Sequence, residues 1–410
     1  MVKKWWLLAW TLCVFGLGLI TAGAGLHSVT GQSSVVGLAC LLVGSGLLAL
    51  GWWRDEQIGR KEMLAKLGRR KLVVIGGGTG QSVLLRGLKE YDVEITAVVT
   101  VADDGGSSGR LRSDFDMPPP GDIRNCLVAL ADTEPLMERL WQHRFKSGEG
   151  LAGHSFGNLF IAAMADVTGD FETAIRETSR VLAVRGRVLP AVNRAVILKA
   201  HMTDGTVVTG ESRIPTVGKK IRRVEIDPPD ISPLPEVIQA LQEADAIIVG
   251  PGSLYTSILP NLLVPGIADE IRRSKAKKIY VCNVMTQPGE TDNYTASQHV
   301  KAIYDHVGPG LFEYVLVNSA PIPPAVIEQY REQKAAPVVA DTWNLQQMGL
   351  NVIARNFLHY AIYARHDARR ISEQILSILA RDLKKRQTSF QEARHVVRIH
   401  NQEGIDTTGE

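Results

Sequence analysis

An apolar segment that ends in a run of glycines is the feature that most constrains the fold of this chain. Residues 72–75 are Leu-Val-Val-Ile, residues 76–80 are Gly-Gly-Gly-Thr-Gly, and apolar residues resume from Val83. This order predicts a buried strand, a tight turn and the start of a helix. Glycine reaches backbone angles closed to other residues, and the bare N–H groups of a helix start favour a phosphate. The segment therefore predicts a nucleotide or sugar-nucleotide site.

The glycine spacing departs from two common nucleotide motifs. A dinucleotide fingerprint would need a third glycine where the chain has Gln81 or Val83. No Gly-Lys-Ser/Thr follows, so the segment is not a Walker loop. Taken alone, it is also compatible with a tight strand-to-helix turn that binds nothing.

Two long apolar runs near the N-terminus predict a membrane anchor. Residues 5–26 and 35–53 are uncharged, and each is about 20 residues long, enough to cross a hydrocarbon core. Basic residues precede the first run and follow the second, whereas residues 27–34 have none. We therefore predict a transmembrane hairpin in a bacterial inner (plasma) membrane, with both termini and the rest of the chain cytoplasmic. A cleaved signal peptide is the alternative for the first run.

The remaining sequence predicts an α/β domain with a doubly wound parallel sheet. Apolar runs at 72–75, 95–101, 246–249, 278–284 and 313–317 are separated by helix-length segments, as in a sheet with helices on both faces. The turn sequence at 203–206 predicts an inserted β-hairpin, and residues 371–383 have the period of an amphipathic helix. The predicted divisions are a hairpin (1–54), a linker (55–70), the α/β domain (71–383) and a polar tail (384–410).

Charge and cysteine content exclude two classes of function. The net charge of +3 over 410 residues is too small to indicate a nucleic-acid partner. The four cysteines have neither the spacing of a disulfide framework nor that of a metal site.

Polar motifs follow several of the predicted strands. Asp103 and Asp104 precede a Gly-Gly-Ser-Ser-Gly-Arg loop, which suits phosphate oxygens or a divalent cation that bridges them. Asp122 is expected to cap a helix, and Arg124 in its first turn is expected to meet an anion. Ligands of open α/β sheets bind outside the carboxyl ends of the strands, where these loops meet. We therefore expect one shared site.

Six motifs together resemble the YvcK family of gluconeogenesis factors, whose relatives include the 2-phospho-L-lactate transferase of deazaflavin cofactor biosynthesis (the CofD-like superfamily). They are GGGTG at 76–80, DDGGSSGRLR at 103–112, PPGDIR at 119–124, GHSFGN at 153–158, GPGSLY at 250–255 and NVMTQPGET at 283–291. The resemblance implies a Rossmann-like domain that binds a UDP-sugar, typically UDP-N-acetylglucosamine, and influences carbon metabolism, cell-wall synthesis and cell shape. It does not extend to the predicted membrane hairpin.

The motifs and the resemblance together predict the following ligand-binding residues: Gly76, Gly77, Gly78, Thr79, Gly80, Asp103, Asp104, Gly105, Gly106, Ser107, Arg110, Asp122, Arg124, Asn125, His154, Asn158, Gly250, Pro251, Gly252, Ser253, Asn283, Thr286, Gln287, Glu290, Thr291 and Arg365. Arg365 is the C-terminal basic residue that best fits the one the family uses. Magnesium is a candidate cofactor, with Asp103 and Asp104 as its ligands.

The leading hypothesis is a non-catalytic, membrane-tethered and homo-oligomeric protein whose UDP-sugar occupancy changes its interaction with envelope-synthesis proteins. The enzyme alternative is a 2-phospho-L-lactate transferase-like protein that uses a nucleotide-diphosphate donor and magnesium. An NAD(P)-dependent oxidoreductase is the weakest hypothesis, because the glycine spacing does not fit. Aromatic residues make up only 6% of the chain, which argues against an aromatic acceptor pocket and favours the sensor.

Overall fold

The computed structural model describes residues 42–49, 67–360 and 364–383. The chain separates into two compact units, Met1–Gly68 and Arg69–Glu410. In the first unit, residues 42–49 are helical, whereas the predicted run 5–26 and the rest of 35–53 lie outside the described residues. None of the helices in the described ranges is both long and apolar enough to span a bilayer. This finding contradicts the predicted two-span membrane location, which we therefore withdraw.

The strands are β1 (Arg70–Gly76), β2 (Val93–Val99), β3 (Arg187–Pro190), β4 (Ile197–Met202), β5 (Val207–Thr209), β6 (Ile221–Asp227), β7 (Ala246–Val249), β8 (Lys277–Val281), β9 (Tyr314–Asn318), β10 (Asn351–Arg355), β11 (Leu358–Tyr360) and β12 (Ala364–His366). The helices are α1 (Gly78–Leu88), α2 (Gly106–Phe115), α3 (Gly121–Leu130), α4 (Pro135–Gln142), α5 (Phe156–Thr168), α6 (Phe171–Val181), α7 (Pro235–Glu243), α8 (Leu259–Leu262), α9 (Ile267–Arg273), α10 (Ala296–Val307), α11 (Pro324–Glu332), α12 (Thr342–Gln347) and α13 (368–383).

A seven-stranded parallel sheet in the order β10-β9-β8-β7-β1-β2-β3 forms the centre of the second unit. Its middle strands are apolar on both faces, and Val73, Val74 and Ile75 of β1 are at most 2% exposed. Such strands need helices on both sides of the sheet. The predicted Rossmann-like α/β fold is thus confirmed.

Strand β1 is the point at which the sheet reverses its direction of growth. It pairs with β2 on one side and with β7 on the other, with Ile75 opposite both Val98 and Val249. The loops that leave β1 and β7 must diverge to opposite faces, which opens a crevice at their carboxyl ends.

The insertion is larger than the predicted hairpin. Strands β4 and β5 form the hairpin, but β6 pairs with the other side of β4 to give an antiparallel sheet in the order β5-β4-β6. We call these three strands the inserted sheet. The sequence of β6 is Ile-Arg-Arg-Val-Glu-Ile-Asp, in which two adjacent arginines interrupt the alternation of apolar and polar residues. Its strand signal was therefore missed.

Gln81, which occupies the position of a missing fingerprint glycine, has a structural role. Its side chain is fully buried, and Nε2 donates hydrogen bonds to the carbonyl oxygens of Val74 on β1 (2.9 Å) and Val98 on β2 (3.0 Å). The amide therefore ties the first turn of α1 to both strands directly beneath the glycine turn.

We expect Gln81→Leu to lower the free energy of unfolding by about 1–3 kcal/mol, because it removes a buried hydrogen-bond donor from two carbonyl groups. Urea denaturation monitored by circular dichroism measures the change. Gln142→Leu, at an exposed position at the end of α4, is the matched control and should have little effect. Equal stability of the two variants would contradict this role.

Candidate functional site

An open cavity of about 400 Å³ lies at the reversal point of the sheet. Its walls are the glycine loop (residues 76–80), the proline loop after β7 (250–253), the segment after β8, the end of α11 and strand β12. Its lining residues are Gly77, Gly78, Thr79, Gly80, Val83, Pro251, Gly252, Ser253, Ser257, Asn283, Val284, Met285, Thr286, Gln287, Pro288, Tyr330, Gln333, Ala335, Ala364, Arg365 and His366. The structure thus brings four of the six motifs and Arg365 to one cavity or its edge.

The glycine loop and the proline loop contact each other through their backbones. A Cβ atom at position 80 would lie 2.6 Å from the carbonyl oxygen of Pro251, so only glycine fits there. Gly78 has φ = +65°, a left-handed conformation that side chains disfavour. Together these constraints leave the floor of the cavity as bare backbone at the N-terminus of α1, which is the arrangement that favours an anion.

Polar side chains from the segment after β8 fasten the opposite wall to the proline loop. The Asn283 amide accepts from the Gly252 N–H (3.1 Å) and donates to the Gly252 carbonyl (2.8 Å). The Gln287 amide donates to Ser253 Oγ, and its backbone N–H donates to Thr291 Oγ1 (2.9 Å). These residues hold the cavity open at a fixed width.

Strand β12 places Arg365 in the cavity wall. The sequence had placed this arginine on a helix, but it lies on a short strand that pairs with β11. The neighbouring His366 Nε2 lies 3.1 Å from the carbonyl oxygen of Cys282. Burial lowers the pKa of His366 to about 4, so this ring is neutral near neutral pH.

Three carboxyl groups form an acidic cluster next to the glycine loop: Asp103, Asp122 and Glu211. Asp122 Oδ2 lies against Gly77, where a Cβ atom would be 2.6 Å away. Burial and the charge of Asp103 raise the pKa of Asp122 to about 6, although the Gly78 N–H opposes the shift. Asp122 is thus not a helix cap, because α3 begins at Gly121 and Pro120 holds the capping position.

Glu211 is a member of this cluster that sequence reasoning missed. It follows β5 and Gly210, so the inserted sheet carries it to the core. Burial and the charges of Asp103 and Asp122 raise its pKa to about 8. A carboxylate directly after a strand and a glycine was the signal that could have identified it.

Asp103 and Asp104 do not form the shared pair that a magnesium site would need. Asp103 Oδ1 accepts from the Gly105 N–H (2.9 Å), whereas Asp104 Oδ1 accepts from the Ser212 N–H of the inserted sheet (2.9 Å). Within residues 42–49, 67–360 and 364–383, no three His, Cys, Asp or Glu side chains are arranged to hold a metal ion. The described geometry therefore does not fit the ion, and we derive no chemistry from it.

Several other predicted residues form a buried polar network rather than a cavity wall. Arg124 is 8% exposed and donates to Ser155 Oγ, to Asn158 Oδ1 (3.1 Å) and to Asn125 Oδ1 (2.9 Å). His154 Nδ1 lies 3.0 Å from Ser107 Oγ. The partners of the Arg124 guanidinium are neutral side chains, so the expected direct contact with an anion is absent from the described structure.

The remaining predicted residues lie at the ends of this region. Gly76 ends β1, Gly105 and Gly106 begin α2, and Gly250 follows β7. Arg110 donates to the Ala152 carbonyl (2.9 Å). Glu290 accepts from the Tyr255 N–H and from Thr256 Oγ1, and burial raises its pKa to about 7.

This fold and site agree with what the chain is similar to. The family model described as 2-phospho-L-lactate transferase CofD matches residues 72–358, which places the chain in that family of α/β proteins. The gluconeogenesis factor of Halalkalibacterium halodurans is 57% identical over 309 residues, covering 75% of this chain and 96% of that protein. The gluconeogenesis factor of Bacillus subtilis is 56% identical over 310 residues, covering 75% and 98%.

A crystal structure of a relative from Bacillus halodurans superposes on this chain with a TM-score of 0.74 at 57% identity, covering 75% of this chain and 99% of that one. Within the CofD superfamily, the chain belongs to the YvcK family of gluconeogenesis factors.

We expect Glu211→Gln to stabilise the protein at pH 8 and to change little at pH 4.5. The folded-state pKa of about 8 exceeds the unfolded value, so the folded wild type retains a proton that the unfolded chain has released. Wild-type stability contributed by this group therefore falls as the pH rises through this window. Melting temperatures measured in the presence of a chelator test the effect. A stabilisation that does not depend on pH would contradict the assignment.

Proposed function

We propose that the chain binds a nucleoside-diphosphate sugar, UDP-N-acetylglucosamine, and acts as a regulator of carbon metabolism, cell-wall synthesis and cell shape. The observation that carries the proposal is the cavity at the reversal point, where bare glycine backbone at a helix N-terminus faces the same space as the Arg365 side chain. Backbone N–H groups and a guanidinium are the donors that a diphosphate accepts best.

The proposed role is binding rather than catalysis. The residues that line the cavity are backbone, amides, hydroxyls and apolar side chains, together with Arg365 and the neutral His366. The carboxyl groups of the acidic cluster lie behind Gly77. We propose that ligand occupancy changes the surface presented to an envelope-synthesis protein or to a second copy of the chain.

A transferase like the one that names the family model is the second candidate. Its support is the acidic cluster, which lies one glycine away from the cavity floor and could assist a phosphoryl or lactyl transfer from a bound nucleotide. An oxidoreductase has no comparable support, because Gln81 is hydrogen-bonded to the strands in place of the fingerprint glycine.

Titration calorimetry with UDP-N-acetylglucosamine tests the proposal. We expect Arg365→Ala to weaken binding about tenfold or more, since hydrogen bonds to a charged group contribute ~1.5–3 kcal/mol. Arg331→Ala is the matched control, because Arg331 is paired on the surface with Glu328 (2.8 Å) and is not part of the cavity wall. Absence of wild-type binding would refute the proposal, and equal affinity of the two variants would exclude Arg365 from the site.

A turnover assay separates the two candidates. Incubation of the wild type with a nucleotide-activated lactyl phosphate, an acceptor and magnesium should give no product, because the cavity holds no described group arranged for transfer. Product that accumulates in proportion to protein, and that is lost in Asp122→Asn, would establish the transferase instead.

A further inference from the structure

The two sides of the cavity differ in chemistry. One side is the glycine and proline loops, which offer backbone N–H groups. The other side is formed by α11, β12 and the segment after β8, and its lining includes apolar side chains: Val284, Met285, Ala335, Ala364 and the ring of Tyr330. A ligand that fills this space should be charged at one end and flat and apolar at the other. A nucleoside diphosphate has this polarity.

Tyr330 is held in a defined position on the apolar side. The residue is half-buried and packs against a small hydrophobic cluster that includes Val284, Met285 and Ala364. Its hydroxyl donates to the Ala364 carbonyl (3.1 Å), so the phenol is fixed both by packing and by a hydrogen bond. Because the ring is already ordered, stacking a ligand on it costs little additional side-chain entropy.

Tyr330 is also the aromatic surface best suited to a base. Apart from it, His366 is the one ring-bearing residue in the described lining of the cavity, and His366 is buried against the Cys282 carbonyl. Gln333 follows Tyr330 by less than one helical turn and lines the same space. Its amide offers a donor and an acceptor to the edge of a base.

We infer that Tyr330 is the nucleobase-binding residue: the base stacks on its ring while the diphosphate lies on the glycine loop. The inference rests on the proposed function and adds the orientation of the ligand. It also assigns α11 a role in recognition, since that helix has no fully buried residue and contacts the cavity through Tyr330 and Gln333.

Calorimetric titrations of the full chain with UDP-N-acetylglucosamine, UDP and inorganic diphosphate test the inference. We expect Tyr330→Leu and Tyr330→Ala to weaken both nucleotides at least about fivefold, the change expected when one base loses an aromatic stacking partner. Affinity for inorganic diphosphate should not change. Tyr330→Phe keeps the ring and should bind UDP within about twofold of the wild type.

The variants also separate stacking from stability. Tyr330→Leu retains apolar packing on the cluster, and Gln329→Ala, at an exposed position on the same helix, controls for changes in α11. Wild-type affinity for UDP in Tyr330→Leu would overturn the inference and leave the proposed function intact. An equal loss of UDP and inorganic diphosphate would show that Tyr330 only supports β12 and would also overturn it. A wild type that binds inorganic diphosphate but no nucleotide would refute both.

Discussion

The contact between the glycine loop and the proline loop determines the rest of the site. The Gly250 N–H donates to the Ile75 carbonyl (2.9 Å), and the buried Asn261 amide donates to the Gly76 carbonyl (2.9 Å). Both loops are therefore anchored to each other where the two strands end. With Gly80 against Pro251, the cavity floor has no side chains, so the backbone N–H groups at the helix start are what a ligand meets first.

Charge is distributed unevenly around this contact. The carboxyl groups of the acidic cluster repel one another and are partly removed from water, which raises the pKa of Asp122 and of Glu211. Arg124, the nearest buried cation, lies among neutral partners. The side of the glycine loop behind Gly77 is thus strongly acidic, whereas the cavity side is neutral to positive. A ligand that carries negative charge is directed to one side only.

Much of the sheet could be predicted from the sequence, because long apolar runs such as 72–75 and 246–249 are typical of strands buried on both faces. The edge strands β3 and β10 were not predicted, since each has one unpaired side and includes exposed residues, such as Arg187 and Asn351. The loops of the cavity were predicted from glycine chemistry. Glu211 and Tyr330 were not, because their place in the site depends on how the inserted sheet and α11 fold back on the core.

The low pKa of His366 has a consequence for how the cavity responds to its surroundings. Because this ring is already neutral above about pH 4, Arg365 is the lone charged side chain among the described lining residues over the physiological range. The electrostatic attraction of the cavity wall for an anion is then set by a group that does not titrate. Changes in cytosolic acidity would leave this attraction constant, whereas ionic strength would modulate it by screening.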